Sequence, residues 1–222
     1  MGSGTGALAT TVLDAASPSA VVGIDPSHAF VAHARAQLPD ARARFTVGDA
    51  QLLPFAAVSF DACVSGLVLN FLKRPERGVA EMGRVTRPGG TIAAYVWDYA
   101  GEMQLLRRFW EAVEAIDAAA PLLGEGRRFP IANRDALARA FTEAGLDGVE
   151  TRPIDIPTVF RDFNDLWSPF LGGQGPGPAY VAALSDERRA ELRDRLRQSL
   201  PVSADGRISL IARAWAVRGR RA

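Results

Sequence analysis

An α/β fold, with a mostly parallel sheet covered by helices on both faces, is predicted by three features of this chain. Residues 1–6 read M-G-S-G-T-G, with Gly2, Gly4 and Gly6 alternating ahead of an apolar, helix-like run from Ala7 to Leu13. Short β-rich runs then alternate with helical stretches up to about residue 98, the pattern of strands joined by crossover helices. The runs also end on small or acidic residues: Asp25, Gly48-Asp49, Ser65-Gly66 and Asp98.

The elements follow in order. Val21-Val22-Gly23-Ile24 is a short apolar strand ending at Asp25, and Pro26-Ser27 opens a helix to about Leu38. Arg44 to Val47 and Phe60 to Val64 are the next strands. Residues 75–86 carry a helical period with Val79, Met82, Gly83 and Val85 facing inward. Pro88-Gly89-Gly90 is read as a turn before a fourth strand, Thr91 to Trp97. Beyond it, 102–118 and 134–144 read as helices, the first with Leu105, Leu106, Phe109, Trp110 and Val113 on one face, the second stopped by Gly145. Residues 149–156 and 208–217 read as strands. Between them an insertion, 157–207, holds Phe160, Phe163, Trp167 and Phe170, a Gly/Pro-rich bend at 172–178, and a charged helix at 186–199 with Ser185 as its N-cap. There Leu192, Leu196 and Leu200 share a face, and Glu191 and Arg195 are spaced for an ion pair. The expected organisation is a single domain over 1–222, with a binding half at 1–98 and a C-terminal half at 99–222 capped by the insertion.

Composition narrows the function. The chain has 222 residues and a formal net charge of +1, which argues against a dedicated nucleic-acid binder. The basic tail Arg218-Gly219-Arg220-Arg221 reads as a frayed, solvated end. Cys63 is the sole cysteine, so no internal disulfide forms, in keeping with a reducing cytosol. No apolar run reaches the ~20 residues of a membrane span, and no basic leader region opens the chain. A soluble cytoplasmic bacterial protein without membrane insertion is expected.

Glycines that alternate ahead of a helix let backbone N–H groups approach a ligand. Alone, G-S-G-T-G-A fits a dinucleotide fingerprint, a loop for S-adenosylmethionine, or a structural turn. Asp25 lies nineteen residues beyond Gly6, where a carboxylate can accept from both ribose hydroxyls of an adenosine. It also fits a helix N-cap. Asp49 can accept the exocyclic amine of adenine, although by composition alone such a residue is more often a plain turn residue. His28 and His33 lie five apart on one helix and do not share a face well, so they read as surface or structural histidines and no metal is expected.

In order, G-x-G-x-G, V-G-I-D, G-D-A-x-x-L-P-F (Gly48 to Phe55), S-F-D (Ser59 to Asp61) and R-P-G-G (Arg87 to Gly90) resemble the motifs of class I S-adenosylmethionine-dependent methyltransferases. The resemblance is to the methyltransferase-type-11 group, which includes ubiquinone and menaquinone biosynthesis enzymes, and it covers residues 1 to about 98. It implies a Rossmann-like methyltransferase sheet with an antiparallel last strand. It also implies S-adenosyl-L-methionine as cofactor, with Gly2, Gly4, Thr5 and Gly6 at its methionine end. Asp25 would hold the ribose, Asp49 and Ala50 the adenine, and Ser65 would lie near the sulfonium. Asn70, Asp98 and Tyr99, past the ends of the strands, are the candidate catalytic groups should the acceptor need to lose a proton. Phe160, Trp167 and Phe170 are candidates to roof an apolar or aromatic small-molecule acceptor, ordinary core packing being the alternative.

In the same family a buried strand, with an acidic residue two places before the first glycine, precedes the loop. Both would fall before Met1, so the first central strand is expected to be missing and the true start to lie upstream. A central strand with about four large aliphatic residues is worth roughly 6–12 kcal/mol, against a typical domain stability of about 5–15 kcal/mol. The chain by itself is therefore expected to be poorly stable and to bind cofactor weakly or not at all. Two other readings stand beside methyl transfer: an NAD-type dinucleotide-binding domain, against which G-D-A-x-x-L-P-F argues, and an inactive fragment or pseudoenzyme acting by interaction.

Overall fold

The computed structural model describes residues 1–117, 124–172 and 174–222. In chain order its elements are α1 (Ala7–Ala16), β1 (Val21–Asp25), α2 (His28–Gln37), β2 (Ala43–Val47), β3 (Phe60–Gly66), a 3-10 turn (Leu69–Phe71), α3 (Pro75–Val85) and β4 (Thr86–Trp97). There follow α4 (Gln104–Glu114), α5 (Glu125–Arg128), α6 (Arg134–Glu143), β5 (Leu146–Phe160), α7 (Phe163–Trp167), a second 3-10 turn (Ser168–Phe170), α8 (Pro176–Ala183), α9 (Asp186–Ser199) and β6 (Ile208–Arg221). Two compact units result: Met1–Val96 with Arg134–Arg152 and Ala216–Ala222, and Trp97–Asn133 with Pro153–Trp215.

The helix starts follow local chemistry. Ser27 caps α2 by accepting from Phe30 N–H at 3.3 Å, and Ser185 caps α9 by accepting from Arg188 N–H at 3.3 Å. Pro75 and Glu76 occupy the first turn of α3, where proline lacks only a donor that would be unpaired and the acid faces the positive helix end. Gly6, at φ 97°, opens α1.

β1 and β2 pair in parallel, Val21 opposite Ala43 and Asp25 opposite Val47. β3 and β4 also pair in parallel, Ala62 opposite Thr91 and Gly66 opposite Tyr95. The larger sheet runs β3-β4-β6-β5. β6 is antiparallel to its neighbours: Arg221 reaches Thr86 at the start of β4 while Arg213 O accepts from Asp98 N–H just past its end. On the other side Arg213 pairs with Asp155 and Arg218 with Glu150 of β5. This is the mostly parallel sheet with an antiparallel last strand that the motifs imply. Along β4 the residues Ile92, Ala94 and Val96 are buried and Ala93 and Tyr95 half-buried, the period-two pattern of a strand with one face on a core. Among the described residues no strand pairs with the second edge of β1 or of β3. Those two edges, with Leu8 and Val12 of α1, line a cavity of about 500 Å³ within the first unit.

Four sequence expectations are corrected. Pro88-Gly89-Gly90 does not turn the chain; β4 runs from Thr86 to Trp97. Gly89 takes φ +76°, and a Cβ on Gly90 would stand 2.7 Å from Asp61 O and 2.8 Å from Arg87 O, so the glycines admit a register shift against β3 instead of a reversal. The tail is not frayed: β6 continues to Arg221, with Gly219 buried and Arg221 bonded to Arg84 O at 3.4 Å. Glu191 pairs with Arg188, one helical turn earlier, at 3.1 Å instead of with Arg195. The helix expected over 102–118 spans Gln104–Glu114; residue 118, like Gly173 of the Gly/Pro-rich bend, lies outside the described residues.

The second unit has its own core. Phe109 and Val113 of α4 meet Phe163, Leu166, Trp167 and Phe170, with Leu192, Leu196 and Leu200 closing the cluster from α9. Phe109 and Phe170 stack at 4.3 Å between ring centroids. No helix among the described residues is long and apolar enough to cross a membrane.

Candidate functional site

The glycine loop of the first unit is fixed by backbone geometry and by Asp25. Gly2, Gly4 and Gly6 have φ of 67°, 51° and 97°, conformations that L side chains rarely adopt. A Cβ on Gly2 would stand 2.1 Å from Val68 Cγ2, whereas one on Gly4 would meet nothing within 4 Å. The loop is thus closed against the segment after β3 at Gly2 and open at Gly4. Ser3 N–H donates to Ile24 O at 2.9 Å, and Gly6 N–H to Ser3 O at 2.8 Å. Met1 N donates to Val64 O at 2.8 Å.

Asp25 is 7% exposed. Its Oδ2 accepts from Gly4 N–H at 2.9 Å and its Oδ1 from Ser27 N–H at 3.0 Å. It therefore ties the glycine loop to the start of α2, while Ser27 takes the N-cap place that the sequence also allowed for Asp25. A carboxylate oxygen accepts more than one bond, so both oxygens keep capacity for a ligand hydroxyl. Parallel pairing of β1 with β2 places Asp25 beside Val47, and Gly48 N–H donates to Asp25 O at 3.1 Å. The carboxyl ends of the two strands, and with them Asp25 and the Asp49 turn, are brought together.

Asp49 is exposed. Its Oδ1 accepts from Gln51 N–H at 2.8 Å, which leaves Oδ2 for a ligand; Ala50 behind it is buried. The rest of this loop is held by two residues that the motif reading passed over. Glu81 Oε2 accepts from Leu53 N–H at 2.7 Å. Arg84 donates to Phe55 O at 2.8 Å, to Leu53 O at 3.0 Å and to both oxygens of Glu81. The Arg84 bond holds the Glu81 carboxyl below its usual range of 4.5, against the opposing effect of burial. The available signal was their i,i+3 spacing on α3.

Past β3 the chain turns sharply at Leu67, φ 57°, and Leu67 N–H donates to Tyr95 O at 2.8 Å. Ser65 is 1% and Asn70 6% exposed, and neither Ser65 Oγ nor Asn70 Nδ2 has a hydrogen-bond partner; Ser3 Oγ is likewise buried and unpaired. Buried polar atoms are normally bonded. Ser3 on the glycine loop, Ser65 near the end of β3 and Asn70 just after it thus carry buried polar atoms without partners.

The remaining sequence candidates fall elsewhere. Thr5, His28 and His33 are exposed. Asp98 and Tyr99 belong to the second unit. Buried Asp98 caps its own turn, its Oδ2 accepting from Glu102 N–H at 3.0 Å. Tyr99 lies against Phe129 at 5.5 Å between centroids, and burial, helped by Glu125, pushes its phenol up from 10.0. Asn70 carries an amide and cannot accept a proton as a base does. Trp167 and Phe170 are core residues of the second unit, with Phe160 packed against the same cluster.

The comparisons with known proteins agree with this geometry. The "Methyltransferase domain" family matches residues 1–94. The chain is 28% identical over 212 residues to the biotin biosynthesis bifunctional protein BioHC of Cellvibrio japonicus, covering 91% of this chain but only 39% of that protein. It is 27% identical to the malonyl-[acyl-carrier protein] O-methyltransferase of Geobacter sulfurreducens, covering 93% of this chain and 77% of that protein. It is 30% identical to the demethylmenaquinone methyltransferase of Roseiflexus castenholzii, with 70% of each chain covered. In fold it matches YcgJ of Bacillus subtilis, with a TM-score of 0.62, 18% identity and coverage of 99% of this chain and 89% of that one. It also matches phosphoethanolamine N-methyltransferase 2 of Haemonchus contortus, solved with S-adenosyl-L-methionine, at a TM-score of 0.57 and 18% identity, covering 99% of this chain and 47% of that one. Glycine loop, Asp25 and the Leu53-Pro54-Phe55 loop thus stand in the Rossmann-like setting that the ordered motifs require, and the chain belongs to the S-adenosylmethionine-dependent methyltransferases.

Proposed function

We propose that the first unit holds S-adenosylmethionine at the carboxyl ends of β1, β2 and β3, and that the chain transfers its methyl group to a small-molecule acceptor. The observation that carries this reading is the pair of buried, unpaired polar atoms, Ser65 Oγ near the end of β3 and Asn70 Nδ2 just past it, where Val68 packs on Gly2 of a glycine loop that is open at Gly4. Asp25 would accept from the ribose hydroxyls with the capacity left after Gly4 and Ser27. Asp49 Oδ2 and the backbone of Ala50 would take the adenine. Gly2, Gly4, Thr5 and Gly6 would face the methionine end, and Ser65 the region of the sulfonium.

When bound, the cofactor supplies a methyl carbon already activated by its sulfonium. What this chain contributes is placement. Alignment of reacting groups supplies roughly 7–11 kcal/mol of barrier reduction in well-oriented systems, and the fixed loop, Asp25 and the Glu81–Arg84 clamp serve that end. Relatives are named for malonyl-[acyl-carrier protein] and demethylmenaquinone. Demethylmenaquinone, with its aromatic head and apolar tail, supports an apolar or aromatic acceptor, whereas malonyl-[acyl-carrier protein] presents a carboxylate on a carrier protein; the net charge of +1 favours either over nucleic acid. Calorimetric titration with S-adenosylmethionine, in competition with NAD, tests the cofactor. Binding of NAD alone would overturn the reading. Transfer of labelled methyl to malonyl-[acyl-carrier protein] or to demethylmenaquinone tests the acceptor class.

A further inference from the structure

Asn70 is held in place by its neighbours. Leu69 is fully buried, and both Leu69 and Leu72 lie against Gly78 of α3, at 3.6 and 2.5 Å from where its Cβ would stand. Val68, two residues before Asn70, packs on Gly2 so closely that any side chain there would collide. The 3-10 turn that carries Asn70 thus runs beside the first glycine of the loop. Its side chain is buried, and its Nδ2 has no hydrogen-bond partner.

The groups of the cofactor's methionine end differ sharply in what they ask of a protein. The ammonium and the sulfonium are cations, and neither accepts a hydrogen bond. The carboxylate accepts several. A buried N–H donor with no partner, on a turn beside the glycine loop, fits only the last of these. We infer that Asn70 is the residue that recognises the amino-acid carboxylate of S-adenosylmethionine, its Nδ2 donating to a carboxylate oxygen. The inference rests on the cofactor reading above. It gives Asn70 a binding role in place of the catalytic one that the sequence suggested.

The test is calorimetric titration of the full chain with two probes, S-adenosylmethionine and its decarboxylated form, S-adenosylmethioninamine, which keeps the sulfonium and the ammonium. Wild type should prefer the carboxylate-bearing cofactor. Asn70→Leu, close in volume and apolar, should weaken S-adenosylmethionine roughly ten- to hundredfold, the span expected for a lost bond to a charged group, and leave the decarboxylated form within about twofold. Asn70→Asp, close in shape and negatively charged, should reverse the preference. The assignment is wrong if Asn70→Leu weakens both probes equally while Asn70→Asp keeps the wild-type preference, or if neither variant changes it. Should wild type bind neither probe, the cofactor reading itself fails, and the role of Asn70 with it.

Discussion

Gly2 and Gly4 both have positive φ, yet a methyl group at each has a different consequence. At Gly2 it meets Val68 Cγ2 at 2.1 Å, so Gly2→Ala must displace the segment after β3. It is expected to lower the melting temperature sharply and to abolish cofactor binding together. At Gly4 the space is open, so Gly4→Ala carries only the strain of a left-handed conformation, about 1–2 kcal/mol. Its melting temperature should fall by a few degrees, while titration shows cofactor affinity reduced well over tenfold because the methyl occupies ligand space. Equal loss of stability in the two variants would contradict this reading of the loop. Asp25→Ala leaves the N–H groups of Gly4 and Ser27 without acceptors, a penalty of about 1–3 kcal/mol for each if they stay buried. Denaturant unfolding measures it.

At the scale of elements, the Asp49 to Phe55 loop borrows its rigidity from α3. Glu81 and Arg84 make bonds to Leu53 N–H, Leu53 O and Phe55 O, so the helix acts as a clamp on a loop with little regular structure of its own. The folded-state pKa of Glu81 lies below its ordinary 4.5. A carboxyl of this kind contributes stability that is fully present above the unfolded value and is lost as pH falls through the lower folded value. Glu81→Gln should therefore destabilise the protein by about 1–2 kcal/mol at neutral pH. The gap in melting temperature between wild type and variant should close as the pH is taken below 4.5. A gap that persists at low pH would mean that the clamp does not depend on the charge.

At the scale of the whole molecule, the proposed cofactor contacts all belong to the first unit, while Phe109, Leu196 and Ile208 form the core of the second. Trimming that second core should change stability without changing the cofactor site. Ile208→Val, at a fully buried position, should lower stability by about 0.5–1.5 kcal/mol, with the dissociation constant for S-adenosylmethionine held within about twofold. A tenfold change would show that the site depends on the second unit.

Local chemistry made much of this protein legible in its sequence. The glycine spacing, Asp25 at the end of β1, the G-D-A-x-x-L-P-F string, Ser185 as a cap and the Leu192, Leu196, Leu200 face all rest on short-range geometry, which neighbouring residues specify by themselves. What spacing could not reveal depended on partners distant in the chain. Pro88-Gly89-Gly90 carries a turn signal, but because Thr86 and Thr91 on either side both pair with β3 it becomes an irregularity within β4. The basic tail looks solvated, but a place beside β4 satisfies its backbone. The aromatic residues of the insertion looked suited to an acceptor, but α4 and α9 enclose Trp167 and Phe170. Glu81 and Arg84 gain their role only because α3 packs beside a loop some thirty residues earlier. Asn70, a candidate catalytic group by its place in the sequence, was redirected to cofactor recognition only by its burial and its unpartnered Nδ2, since whether a polar atom is paired is a property of the tertiary structure.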